Sequence, residues 1–203
     1  MISVVKAVLT LWPCVFQNLI AAEVSQRYKV ELISEWKSSD FGKIGVSLSV
    51  SGNKIAVGSP FLQNSMGTVM IIEKNSYGVY PAKQTFWGKA SYSKFGQSIL
   101  LLDDVLFVGA PHETCYYLNK PFQSCGVVYR FQKSINASGA ELWEKFQMNN
   151  DFPEASAAFG SSIASSGDIL AIGIPGHNTF SGRVLVYNKQ DTGSNKWTAT
   201  AGR

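Results

Sequence analysis

Residues 159–175 read FGSSIASSGDILAIGIP, a Phe-Gly pair followed by two strand-like runs around a polar turn and a closing Gly-X-Pro. The same layout follows Phe95 and Phe41, so successive Phe-Gly pairs lie 54 and 64 residues apart. Self-similarity at such a period is the signature of repeat architectures. The repeated positions are Phe41, Gly42, Gly58, Pro60, Phe95, Gly96, Gly109, Pro111, Phe159, Gly160, Gly173 and Pro175.

Each repeat contains four short stretches of strand type. The first alternates with period two, as at Val46, Leu48 and Val50, which indicates a half-buried strand. The second is continuously apolar, as in 105–108, which is typical of a strand buried on both faces. A glycine opens the third stretch, and an aromatic-bearing fourth closes the unit. Four strands in about 55 residues are typical of one β-propeller blade, so the sequence predicts an all-β chain.

The three copies resemble the FG-GAP repeats of the integrin α-subunit propeller, and still more the calcium-free FG-GAP blades of secreted and surface proteins. The resemblance implies three four-stranded antiparallel blades of an incomplete propeller. The units would cover about 38–90, 91–155 and 156–203, with 28–36 as an outer strand. It also implies that the repeated Phe and Gly-X-Pro residues are structural, the Phe side chains acting as plugs between blades.

The resemblance further implies where partners dock. In that family, binding uses the loops between second and third strands and the loops that join one blade to the next. Here these loops are 59–66, 111–124 and 175–181 for the first set, and 87–94 and 148–158 for the second. The expected function is therefore an extracellular adhesion or binding module for a protein or matrix ligand, with a β-subunit-like partner.

The first 22 residues have the composition of a leader. Lys6 is their only charged residue, an apolar block occupies 7–16, and Ala21-Ala22 close the segment. That order is typical of a secretory signal peptide, and the block is too short to span a bilayer. A buried N-terminal strand or helix is the alternative. We therefore expect a secreted or cell-surface protein whose mature part is 23–203.

Two of the three cysteines remain after such a leader is removed. Cys14 lies within the leader, whereas Cys115 and Cys125 lie in one loop. An even pair in a secreted chain favours a disulfide. A zinc site is the alternative, although no second Cys or His pair completes four ligands.

The same loop carries aromatic residues. Tyr116, Tyr117 and Phe122 lie between the two cysteines. Aromatic side chains on a rigid loop are efficient interface anchors, since little rotamer freedom is lost on binding. We expect this loop to be the recognition element, the alternative being a loop packed on itself over the blade edge.

The sequence predicts no metal site and no cofactor. Calcium-binding blades use a loop rich in oxygen ligands between the first and second strands, because hard cations need several converging oxygens. The corresponding turns here, 51–53, 103–104 and 166–168, are too short for that. We interpret His112 and His177 as surface residues, with a shared His-His metal site as the alternative.

Catalysis and nucleic-acid binding are not expected either. The sequence has neither a Gly-X-Ser-X-Gly motif nor a phosphate-binding glycine loop before a helix. A secreted hydrolase, or its accessory propeller, remains the alternative function by analogy of fold alone. The net charge is only +4, and the Lys and Arg residues are scattered rather than gathered into a basic patch.

Asn136-Ala137-Ser138 is an N-glycosylation sequon, predicted to lie in an exposed loop.

The number of repeats raises a separate question, because three blades form an arc whose end sheets expose apolar faces. We expect the chain to be part of a longer receptor-like protein, with any membrane anchor elsewhere, or a truncated, non-functional fragment. Self-association that closes a ring is the less favoured alternative.

Overall fold

The structure is a computed structural model that describes Glu35 and residues 42–151, 153–190 and 196–199. Three sequence predictions lie outside the described residues: the leader, Phe41, and all but Glu35 of the outer strand at 28–36. From residue 42 onward, the described residues belong to one compact unit, Lys37–Arg203.

The described part of the chain is built almost entirely from β-strands. Two four-residue helical turns, Leu62–Ser65 and His177–Phe180, follow the second strand of the first and third repeats. The strands are β1 (Ser47–Ser51), β2 (Lys54–Ser59), β3 (Thr68–Glu73), β4 (Ala82–Trp87), β5 (Ser98–Leu102), β6 (Val105–Ala110), β7 (Cys115–Tyr117), β8 (Lys120–Phe122), β9 (Val127–Ile135), β10 (Glu141–Met148), β11 (Ile163–Ser166), β12 (Ile169–Ile174), β13 (Arg183–Gln190) and β14 (Lys196–Ala199).

The strands form three four-stranded antiparallel sheets, which confirms the all-β class. The orders are β1-β2-β3-β4, β10-β9-β6-β5 and β11-β12-β13-β14, so each sheet comes from one continuous stretch of chain. The small β7-β8 pair is inserted between β6 and β9 of the second sheet. Each second strand ends immediately before the proline of its Gly-X-Pro, because proline has no N–H to donate to the ladder.

A left-handed glycine turn precedes the first strand of each sheet. The N–H of Gly96 donates to the carbonyl of Gly109 at 3.0 Å, and that of Gly160 to Gly173 at 3.1 Å. Gly96 and Gly160 have φ of +88° and +87°, which side chains rarely tolerate. In both sheets the second of the two bonded glycines comes thirteen positions after the first.

In the first sheet this position belongs to Gly45, so the prediction that aligned Gly42 with Gly96 is wrong by three residues. Gly45 has φ +87° and donates its N–H to Gly58 at 3.0 Å, again thirteen residues away. Ile44 therefore occupies the place that Phe holds in the other repeats. Gly42 instead packs under the loop after β2, where its carbonyl accepts the Ser59 hydroxyl at 2.7 Å.

The core lies between successive sheets. Ala56 and Val69 of the first sheet share a buried cluster with Ile99 and Leu101 of the second, and Phe95 is fully buried within that cluster. A second cluster joins the second and third sheets and contains Phe107, Val128, Phe159, Leu170 and Ile172. Burial of both faces of the second sheet explains why its second strand, β6, is apolar throughout.

Candidate binding surface

The two cysteines close a short hairpin on the loop side of the second sheet. Cys115 and Cys125 form a disulfide with their Cα atoms 5.9 Å apart, which confirms that prediction. Between them, β7 and β8 pair around the two-residue turn Leu118-Asn119, whose φ values of +47° and +63° are those of a type I′ hairpin. Residues 115–125 are called the disulfide hairpin below.

The hairpin has a buried base and an exposed tip. Both cysteines are buried, and Phe122 is half-buried against the core between the first two sheets. Tyr116 and Tyr117 are 69% and 44% exposed. The structure therefore separates the three predicted aromatic residues: Phe122 supports the hairpin, and the two tyrosines are exposed to solvent.

The first inter-repeat loop, residues 87–94, is hydrogen-bonded through its backbone to the loop after β2, residues 59–66. The N–H of Tyr92 donates to the carbonyl of Asn64 at 2.9 Å, and that of Lys94 to Ser65 at 2.8 Å. The N–H of His112 donates to the carbonyl of Ser93 at 3.2 Å, which connects this pair of loops to the second repeat. Loops of the first and second repeats are thus joined by backbone hydrogen bonds and lie next to each other.

The second inter-repeat loop holds the base of the disulfide hairpin in the same way. The N–H groups of Ser156 and Ala158 donate to the carbonyls of Gln123 and Ser124 at 2.8 and 3.0 Å. On its other side, the N–H of Gly176 donates to the carbonyl of Ala157 at 3.0 Å.

The loop of the third repeat is fixed to the same segment by a carboxylate. Glu154 accepts the N–H of Asn178 at 2.8 Å, and its other oxygen lies 2.7 Å from Nδ1 of His177. The loops predicted to form the binding face therefore adjoin one another across all three repeats. We call this surface, residues 59–66, 87–94, 111–125, 148–151, 153–158 and 175–181, the loop face.

Sequence reasoning did not single out two further aromatic residues of the loop face. Tyr92 is 71% exposed in the first inter-repeat loop, and Phe180 is 77% exposed on the helical turn of the third repeat. Both have positive φ, at +64° and +67°, which bulky residues seldom adopt. The sequence signal that could have identified them is a large aromatic residue inside a predicted loop.

A buried carboxyl group lies just before the disulfide hairpin. Glu113 is 6% exposed and accepts the Tyr129 hydroxyl at 2.6 Å. The Nζ of Lys145 lies 3.9 Å from the centroid of the Tyr129 ring. The carbonyl of Glu113 also accepts the N–H of Gly126, so this residue ties both ends of the hairpin to the sheet.

Burial sets the proton affinities in this cluster. It raises the pKa of the Glu113 carboxyl, a shift that the hydrogen bond from Tyr129 and the charge of Lys145 partly oppose. Burial first, and then the bond to Glu113, raises the pKa of the Tyr129 hydroxyl. Burial also lowers the pKa of the Lys145 amine. These groups form a packed polar network beneath the hairpin.

The turns that correspond to calcium loops have two residues each, whereas the sequence predicted three residues for the first and the third of them. They connect Ser51 to Lys54, Leu102 to Val105 and Ser166 to Ile169. The second-sheet turn supplies Asp104, whose carboxylate lies 3.5 Å from the Lys54 amine. Among the described residues, no group of three or more His, Cys, Asp or Glu side chains is placed to hold a metal ion.

The two histidines have different neighbours. Nε2 of His112 lies 3.3 Å from Nζ of Lys94, and burial together with that positive charge lowers the His112 pKa. His177 faces Glu154 instead. Each histidine thus belongs to the contact between its own loop and the inter-repeat loop before it.

The predicted glycosylation residue lies in the exposed turn between β9 and β10. Asn136 Oδ1 accepts the Ser138 hydroxyl at 2.7 Å and the Ala140 N–H at 2.8 Å. These bonds engage the amide oxygen rather than the nitrogen that a glycan would modify.

In the portion of the chain that the structure describes, no helix is both long and apolar enough to cross a membrane. Comparison with known proteins adds no relative, since neither the protein-family models nor the curated proteins contain a match to this chain.

Proposed function

We propose that the chain is an extracellular binding or adhesion module of the integrin-α-like FG-GAP type, with its three sheets as propeller blades. Its ligand is a protein of the cell surface or extracellular matrix, bound by the loop face; a β-subunit-like protein is a second partner. Binding, rather than catalysis, is the function of the module.

One observation carries this proposal: the disulfide hairpin holds two exposed tyrosines above a buried base. Tyr116 and Tyr117 supply apolar area with a polar tip, and their backbone is already fixed before a partner arrives. Preorganisation of this kind improves affinity because fewer degrees of freedom are lost on association. Tyrosine is also among the residues enriched at the energetic centres of interfaces.

Binding to immobilised collagen, laminin and fibronectin tests the proposal. We expect the secreted chain to bind at least one of them, and the Tyr116→Ala/Tyr117→Ala variant to bind at least about tenfold more weakly. Tyr77→Ala is the matched control, because Tyr77 is 89% exposed in the β3–β4 turn, away from the loop face. Binding to none of the three proteins, or equal binding by the double variant, would contradict the proposal.

The extracellular location has a test of its own at Asn136. A chain that passes through the secretory pathway with this turn exposed acquires a glycan there. We expect the protein secreted from cultured animal cells to lose apparent mass on treatment with an amidase that removes N-glycans. The Asn136→Gln variant should already run at the lower mass. Retention of the unmodified chain inside the cell would count against secretion.

A further inference from the structure

The third sheet has an open recess where the first two sheets are filled. The recess has a volume of about 610 Å³, and its lining includes Ser162, Gly173, Gly182 and Val184. Ser162 is exposed, and Val184 is 62% exposed.

In the first sheet, the equivalent place receives the Phe-Gly turn of the next repeat. A Cβ atom on Gly58 would collide with the carbonyl oxygen of Gly96, and one on Gly67 with that of Phe95. Glycine is needed at both positions because the backbone of the next repeat lies against them.

The second sheet repeats the arrangement, whereas the third does not. Cβ atoms on Gly109 and Gly126 would collide with the carbonyl oxygens of Gly160 and Phe159. At Gly182 the nearest atoms, within the part of the chain that the structure describes, are those of Pro175 in the same loop, at 3.7 Å and beyond. The third sheet thus keeps the glycine of a filled site without the turn that fills it.

A serine marks the same site in each repeat. The Ser47 hydroxyl donates to the carbonyl of Gly96 at 2.6 Å, and the Ser98 hydroxyl donates to that of Gly160 at 2.6 Å. Ser162 is the third member of the series and stands in the recess. Its hydroxyl is placed to donate to a glycine carbonyl of an incoming turn.

A valine two positions after the glycine also recurs in all three repeats. Val69 and Val128 are fully buried against the next repeat, whereas their counterpart Val184 is 62% exposed. Ile169 of the third sheet is 52% exposed as well. A turn and a sheet edge placed here would cover this apolar surface.

The first repeat of the chain carries a turn and a sheet edge that fit this description. Gly45 has the φ and the hydrogen bond of the inserted turns, and a Cβ atom on it would meet no atom of the described residues within 4 Å. Leu48 and Val50 are 62% and 66% exposed. Their counterparts Ile99 and Leu101, which pack against the preceding repeat, are 8% and 2% exposed.

We propose that two copies of this chain associate head to tail, the Ile44-Gly45 turn of one copy inserting into the recess of the other. Ser162 then donates to the carbonyl of Gly45, and Leu48 and Val50 pack against Val184. A heterologous contact of this kind closes into a ring if its rotation allows. Two copies contribute about six sheets, within the four to eight of known propeller rings.

Light scattering on the full secreted chain across a dilution series tests the proposal with one variant at each surface. Val184→Arg blocks the recess, and Leu48→Arg blocks the sheet edge beside the turn. Each should weaken self-association at least about 100-fold, because the contact would bury an unpaired charge. Ile135→Arg is the control, since Ile135 is 68% exposed at the end of β9 and should leave association unchanged.

Mixing the two blocked variants gives the sharpest outcome. The mixture holds one intact recess and one intact turn, so we expect a dimer although each variant alone is monomeric. All three substituted residues are exposed, and thermal unfolding of each variant checks that it remains folded. A wild-type chain that stays monomeric at all concentrations would overturn the proposal. So would a Leu48→Arg variant that still forms a dimer, or a mixture that does not.

Discussion

At Glu113, burial and hydrogen bonding act on one carboxyl group in opposite directions. Burial raises its pKa, and the Tyr129 hydroxyl and the Lys145 charge only partly restore it. Burial thus favours the neutral form of this carboxyl group more than water does, and the backbone of the residue anchors the hairpin. The preference for the neutral form makes the stability of the fold depend on pH at this residue.

The Glu113→Gln variant should reveal that dependence. Because the folded-state pKa lies above the ordinary value of 4.5, the contribution of Glu113 to the wild-type free energy of unfolding declines as pH rises through and above 4.5. The amide does not ionise, so the variant escapes this decline. Each unit of raised pKa corresponds to about 1.4 kcal/mol.

Urea denaturation of both proteins between about pH 4 and pH 7 measures the effect. We expect the variant to gain stability relative to the wild type as pH rises. A difference that stays constant over this range would show that burial does not perturb the carboxyl group.

The role of Glu113 was not predictable from the sequence. It follows Pro111 and His112 in what looks like an ordinary polar loop. Its partner Tyr129 lies sixteen residues further along and faces it only because β9 pairs with β6 across the inserted hairpin. Contacts that depend on the pairing of separated strands leave no local trace.

The disulfide hairpin is the element whose stability depends most on one covalent bond. β7 and β8 form a two-stranded sheet of three residues each, which is marginal in water without support. Closing a loop of ten residues contributes about 3 kcal/mol through the entropy of the unfolded chain.

Replacing Cys115 and Cys125 with alanine should therefore lower the free energy of unfolding by about 3 kcal/mol, as measured by urea denaturation. Limited proteolysis should cut the variant first between these positions, since the hairpin loses its closure while the larger sheets persist. Reduction of the wild-type disulfide offers a second route to the same state. Unchanged stability and cleavage in both cases would mean that the backbone bonds to the second inter-repeat loop suffice.

At the scale of elements, the positions of the strands were predicted correctly from the sequence, whereas the alignment of Gly42 with Gly96 was wrong. Period-two alternation, apolar runs and Gly-X-Pro endings located the four strands of each repeat because these signals are local. The pair Phe41-Gly42 misled the alignment because its letters match, while the bond to Gly58 requires a glycine thirteen residues earlier. Spacing to the bonded partner, rather than identity of the motif, determines which glycine forms the turn.

For the molecule as a whole, Ser98 and Ser162 hold equivalent positions in two repeats, so the contribution of the hydrogen bond between sheets can be compared within one protein. The Ser98 hydroxyl is buried and bonded to the carbonyl of Gly160, whereas Ser162 holds the same position of the third repeat and is exposed. Removing the buried hydroxyl leaves a carbonyl unsatisfied, which costs about 1–3 kcal/mol.

Ser98→Ala should consequently lower the free energy of unfolding by that amount, and Ser162→Ala by less than about 0.5 kcal/mol. Thermal or urea denaturation of the dilute, monomeric chain makes the comparison. Equal effects of the two substitutions would indicate that the hydrogen bond from Ser98 to Gly160 does not contribute to the free energy of unfolding.

The meander order of the sheets has a mechanical consequence. Among the described residues, every strand ladder joins strands of one repeat, and neighbouring sheets are held by side-chain packing, by backbone bonds between their loops and by single side-chain bonds such as that of Ser98. A force applied to the two ends of the chain would therefore separate the sheets at their joints before it shears any ladder. Extension would then proceed in discrete steps, with one repeat unfolding at a time.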